Sequence, residues 1–94
     1  MVRQRAPWMT GSDDLILEFL AESGAAHNLR GVVNNLTYRG ESISYNTVQR
    51  RMPKLLDSGL VEEIPGQGSY YQITETGREY LAGNVRASAL DINE

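Results

Sequence analysis

Four polar side chains in one short stretch, Asn46, Thr47, Gln49 and Arg50, are of the types that read base-pair edges. Arginine can donate two hydrogen bonds to O6 and N7 of guanine, and Asn or Gln can pair with N6 and N7 of adenine. Ser44 and Tyr45 stand just before them. Backbone N–H groups and hydroxyls at such a helix start can hold a phosphate. Tyr45 has two readings, a core-edge residue or a phosphate contact. Arg51 and Lys54 follow and suit backbone phosphates, Arg51 lying nearer the core edge. Arg39, Gln67, Arg3 and Arg5 complete the set of candidate contacts to duplex DNA.

The stretch reads as an amphipathic helix over about 45–58, capped by Ser44. Val48, Met52, Leu55 and Leu56 mark its buried face. At about 100° per residue the opposite face carries Asn46, Arg50 and Asp57, flanked by Thr47, Gln49 and Lys54. Pro53 removes the bond to the Gln49 carbonyl and favours a bend, and Gly59 is a C-terminal stop.

Two helices precede it. Thr10 and Asp13 form a T-x-x-D capping signal, and Leu15, Ile16, Phe19 and Leu20 recur at helical spacing, predicting a helix over 11–22. Asn28 caps a second helix with Leu29, Val32, Val33 and Leu36 as its stripe. Gly31 within it is expected to permit close helix packing. Thr37–Ser42, with Arg39-Gly40 as a turn signal, connects to the third helix.

After Gly59, 60–64 and 70–73 read as short strands joined by Pro65-Gly66-Gln67-Gly68. Thr74 caps a fourth helix that ends near Gly83-Asn84. Residues 84–94 read either as a frayed tail or as a continuing helix that pairs with a second copy. The fold class is therefore mostly α with a small β-hairpin: a winged helix-turn-helix with a three-helix core, a wing and a C-terminal fourth helix. Residues 1–9 form an N-terminal arm anchored by Trp8, 10–83 the domain and 84–94 the tail. The expected core is Leu15, Ile16, Phe19, Leu20, Val32, Leu36, Val48, Met52, Leu55, Leu60, Ile64, Tyr71, Ile73 and Leu81.

Net charge is −3, which by itself argues against a nucleic-acid partner. Its distribution argues the other way. Residues 27–56 hold Arg30, Arg39, Arg50, Arg51 and Lys54 against Glu41 alone, a net +4, while the segments before and after are acidic. A local field can steer a phosphate backbone when the total is negative. No apolar run is long enough for a membrane span, and no apolar signal core opens the chain. With no cysteine there is no disulfide framework or thiolate metal site, so the expected compartment is the cytoplasm.

Enzyme readings find little support. His27 is the single histidine, and Asp13 and Asp14 are better explained as helix-start carboxylates than as a catalytic pair. Gly66-Gln67-Gly68 leads into a strand, so it offers no helix start to a phosphate. No cofactor or metal is expected. The hairpin tip reads either as a plain turn or as a base-reading wing, though it lacks lysine and arginine. Arg3 and Arg5 read either as a disordered tail or as a minor-groove arm. A second reading of the whole is a protein-interaction module of the same fold, with Glu62, Glu63 and the acidic C-terminal half as contact surface and no DNA binding.

V-Q-R-R-M-P-K-L-L-D-S-G-L-V-E followed by G-Q-G-S-Y-Y-Q-I-T-E-T-G-R-E-Y-L resembles archaeal winged-helix transcriptional regulators. The opening R-Q-R-A-P-W-M-T with D-L-I-L-E-F-L is similar to the halophilic-archaeal family named after the phage phiH1 repressor. The resemblance spans residues 3 to about 83. It implies a small DNA-binding transcriptional regulator, a dimeric repressor, whose reading helix falls at about 45–58. The connection Y-R-G-E-S-I-S is longer than the family pattern and the wing lacks basic tip residues. Two copies would fit half-sites one helical turn apart, through helix 1, helix 4 or the tail.

Overall fold

A computed structural model describes residues 3–66 and 68–90. Three helices come first: α1 (Gly11–Ser23), α2 (Leu29–Tyr38) and α3 (Tyr45–Asp57). An antiparallel hairpin of β1 (Val61–Gly66) and β2 (Gly68–Ile73) follows, then α4 (Glu75–Leu81) and one 3-10 turn at Ala87–Leu90. The fold is a winged helix. Its strands pair from Val61 with Ile73 out to Gly66 with Gly68, so they run farther toward the tip than the sequence pattern predicts. His27, between α1 and α2, adds a single rung on the other edge of β2. Its N–H donates to the Tyr71 carbonyl at 2.9 Å and its carbonyl accepts from Tyr71 at 2.8 Å.

Local signals fix the helix ends. The Thr10 backbone N–H donates to the Asp13 carboxylate at 2.8 Å, half of a capping box. Asn28, Ser44 and Thr74 each accept from the backbone N–H three residues on. Gly59 ends α3 at φ 81°. Its N–H donates to the Leu56 carbonyl and that of Leu60 to the Leu55 carbonyl, both at 3.1 Å. This is the Schellman arrangement, completed by burial of Leu55 and Leu60. Pro53 sits on the exposed face and α3 continues past it.

The same turn fixes α4. Thr74 Oγ1 donates to the Gly59 carbonyl at 2.6 Å, and the Thr74 N–H donates to the Leu60 carbonyl at 3.1 Å. The first turn of α4 then lies so close that a Cβ on Gly77 would run into the Leu60 carbonyl oxygen and the Ile73 side chain.

The core differs from the expected set at its edges. Ile64 is 36% exposed, because it lies on the outer part of the hairpin opposite Tyr70, beyond the helices. Leu15, Tyr71 and Leu81 are half-buried against the core rather than within it. Leu17 and Tyr80 are fully buried instead. Ala6, Met9 and Leu90 are buried too, so the core crosses the boundaries expected after residues 9 and 83. The Trp8 indole N–H donates to the Leu90 carbonyl at 2.8 Å, tying the arm to the 3-10 turn. Residues 87–90 thus form neither a frayed tail nor a continuing helix; 91–94 lie outside the described residues. Gly31 faces Asn28 Oδ1 and His27, not a second helix, so it makes room for its own helix's cap. No described helix is long and apolar enough to cross a membrane.

Candidate nucleic-acid interface

α3 buries Val48, Met52 and Leu55 against the other helices, which fixes what its opposite side presents. Asn46, Gln49 and Arg50 are exposed there, with Thr47 and Lys54 half-buried at the flank. Ser44 Oγ lies 2.9 Å from Thr47 Oγ1, and the Ser44 oxygen caps the Thr47 N–H at 3.1 Å. The cap therefore holds the first turn that carries the polar residues. Arg50 Nε makes one long bond, 3.4 Å, to the Asn46 carbonyl of its own helix. Such a bond is weak and leaves the guanidinium available to a ligand.

Arg51 points the other way. Its Nε donates to Asp13 Oδ1 at 3.0 Å and its Nη2 to Asp13 Oδ2 at 2.9 Å. Nη2 also donates to the Trp8 carbonyl at 2.8 Å. Asp13 is fully buried, so this bidentate pair is an internal tie between α3, the start of α1 and the arm.

The other predicted cations are paired near the surface. Arg39 reaches back to Glu22 at 2.8 Å and lies over the Phe19 ring, 5.1 Å from its centroid. Arg3 pairs with Glu18 at 3.1 Å. Arg5 pairs with Asp14, which also accepts from the buried Tyr80 hydroxyl at 2.6 Å. The Arg5 pKa is raised by its hydrogen bond to Asp14 and by that charge. Burial, and then the bond to Asp14, push the Tyr80 phenol up to about 12. Among the described residues, Arg30, Arg50, Arg78 and Arg86 have no carboxylate within ion-pair distance.

Clefts flank α3 on two sides. One is lined by Thr10, Ser12, Thr47, Arg50, Arg51 and Lys54 and faces the start of α1. The other is lined by Asn28, Leu29, Arg30, Tyr45, Ser69 and Tyr71, between the start of α2 and the hairpin. In the second, the Arg30 guanidinium lies 4.9 Å from the centroid of the Tyr45 ring. Tyr45 is half-buried. Gln67 lies outside the described residues; Ser69, two positions further along the chain, donates its hydroxyl to Glu63.

The structure thus brings Ser44, Tyr45, Asn46, Thr47, Gln49, Arg50 and Lys54 onto one side of the molecule around α3. It draws Arg51 inward and engages Arg39, Arg3 and Arg5 on α1. Arg30 did not stand out in the sequence as a site residue. It belongs to the positive segment, but its place beside Tyr45 depends on how α2 crosses α3.

A helix-turn-helix with a hairpin behind it and an exposed polar face on its second helix defines a winged helix-turn-helix regulator. The chain belongs to the winged helix-turn-helix phage repressor family, whose model matches residues 2–93. This is a regulatory DNA-binding family, not an enzyme family. Among its relatives is the repressor protein of Halobacterium phage phiH, 30% identical over 97 residues, 96% of this chain and 98% of that one. The crystal structure of the PhiH1 repressor-like protein from Haloarcula marismortui superposes with a TM-score of 0.74. It is 34% identical and the match covers 93% of this chain and 92% of that one.

Proposed function

We propose that this protein is a sequence-specific repressor of transcription that reads duplex DNA by seating α3 in the major groove. The observation that carries the reading is the asymmetry of α3. Asn46, Gln49 and Arg50 project to solvent, Arg50 with no carboxylate within ion-pair distance among the described residues, while the neighbouring Arg51 is closed off inside. Ser44, Thr47 and Lys54 flank that face and supply hydroxyls and charge for the phosphates. Family membership and the repressor-named relative support the repressor role. The segments before and after residues 27–56 are net acidic, which keeps nonspecific attraction low away from the positive segment.

The test is selection of bound duplexes from random and genomic pools at several salt concentrations, with Arg50→Ala alongside. An enriched motif that is lost in the variant supports the reading, and a palindromic motif adds a homodimer. Lys54→Ala is expected to weaken all duplexes alike and lower the salt slope by about one unit. Failure to bind any duplex at low salt would overturn the reading and favour a protein-interaction module of the same fold.

A further inference from the structure

We infer that Arg30, held over the ring of Tyr45, is a ligand for a DNA backbone phosphate seated in the cleft between α2 and the hairpin. The inference rests on the reading that α3 enters duplex DNA. Arg30 is exposed and has no carboxylate partner among the described residues, unlike Arg3, Arg5, Arg39 and Arg51. Its guanidinium lies 4.9 Å from the Tyr45 centroid, and Tyr45 is the first residue of α3. The charge is therefore parked beside the end of α3 that leads into the groove. A cation–π contact uses none of the guanidinium's N–H groups as hydrogen-bond donors, so they remain for a second partner, and two phosphate oxygens match that fork.

The cleft has the size and lining for this ligand. Its volume is about 350 Å³, and three hydroxyl-bearing residues, Tyr45, Ser69 and Tyr71, are among those that line it. Among the described residues, no acidic one lines it. The first turn of α2 also carries no acidic residue, whereas α1 has Asp13 and Asp14 there and α4 has Glu75. One carboxylate does reach the rim: Glu63 accepts from Ser69 and lies across the hairpin from Tyr71. It repels a phosphate on the hairpin side and so favours a seat nearer Arg30.

The experiment is duplex binding against salt for the full chain and for Arg30→Gln, Arg30→Lys and Arg50→Ala, on a selected site and on an unrelated duplex. Arg30→Gln is expected to weaken both duplexes by the same factor and to lower the salt slope by about one unit. Arg30→Lys keeps the charge and is expected to restore the slope. Arg50→Ala is expected to weaken the selected site more than the unrelated one. Equal thermal midpoints across the variants keep folding out of the comparison. Unchanged affinity and slope for Arg30→Gln, or a loss confined to the selected site, would overturn the phosphate role while leaving α3 as the reader. A parent chain that binds no duplex would overturn both.

Discussion

Arg50 and Arg51 are neighbours in the chain and face opposite fates. Arg50 projects from α3 with one 3.4 Å bond to its own helix. Arg51 makes three bonds of 2.8–3.0 Å to Asp13 and Trp8, and its side chain is 16% exposed. A step of one residue turns a side chain by about 100° around a helix, enough to carry it from the solvent side to the packed seam. The same residue type thus has two places: open to the proposed DNA contact outside, and setting the position of α3 inside. A mutagenesis series that treated R50-R51 as one basic patch would mix the two.

The largest effect should come from Arg51→Ala. It strands the fully buried Asp13 carboxylate, and breaking a buried pair from one side costs about 3–5 kcal/mol. Urea unfolding of Arg51→Ala, Asp13→Asn and the double variant measures it, with strong coupling expected between the two sites. Arg50→Ala should leave stability within about 0.5 kcal/mol in the same assay. Equal losses for the two arginines would collapse the distinction between them.

On DNA the order should reverse in kind. If Arg50 makes a bidentate base contact, Arg50→Ala costs about 1–3 kcal/mol on a selected duplex at fixed salt. A loss of the same size on every sequence would turn Arg50 into a phosphate contact and redraw the outer face.

The buried side of the molecule should also respond to alkali. Tyr80 is buried with its hydroxyl on Asp14, and its pKa is pushed from 10.0 up to about 12. The folded state thus holds the phenolic proton more tightly than the unfolded chain does. This contribution is complete below pH 10 and is lost as pH rises from 10 toward 12. Stability against pH for the parent and Tyr80→Phe checks the sign: the variant should fall less steeply over that window.

The smallest effect should be Arg39→Ala. Its pair with Glu22 is open to water, with side chains 37% and 69% exposed, and such pairs contribute about 0–1 kcal/mol. A loss as large as that of Arg51→Ala would mean that the Arg39 contact with the Phe19 ring holds α1 and α2 together. The same weakness means the Arg39 pair could be exchanged for a phosphate at little cost, whereas the Arg51 pair could not.

Much of the fold was legible because its signals are local. Thr10, Asn28, Ser44 and Thr74 were readable as caps, and Gly59 as a stop, since each acts within a few residues of its own helix end. The exposed row of α3 followed from its apolar stripe. Ile64 was misplaced because alternation along a strand says which face a residue takes, not whether anything covers that face. Leu17 escapes the pattern because α1 is buried on more of its surface than a single stripe suggests, and Tyr80 because its hydroxyl can be buried only against Asp14, 66 residues away. Arg30 was missed because its partner lies on another helix.

By itself, then, the sequence determined the elements, their ends and the polar face of α3, all of which depend on residues a few positions apart. Only the tertiary structure decided which cations stay outward. Asp13 and Arg51 are 38 residues apart, Tyr80 and Asp14 are 66 apart, and Trp8 and Leu90 are 82 apart. The charge of a side chain is written in the sequence, but its availability depends on whether a distant carboxylate or carbonyl folds up against it.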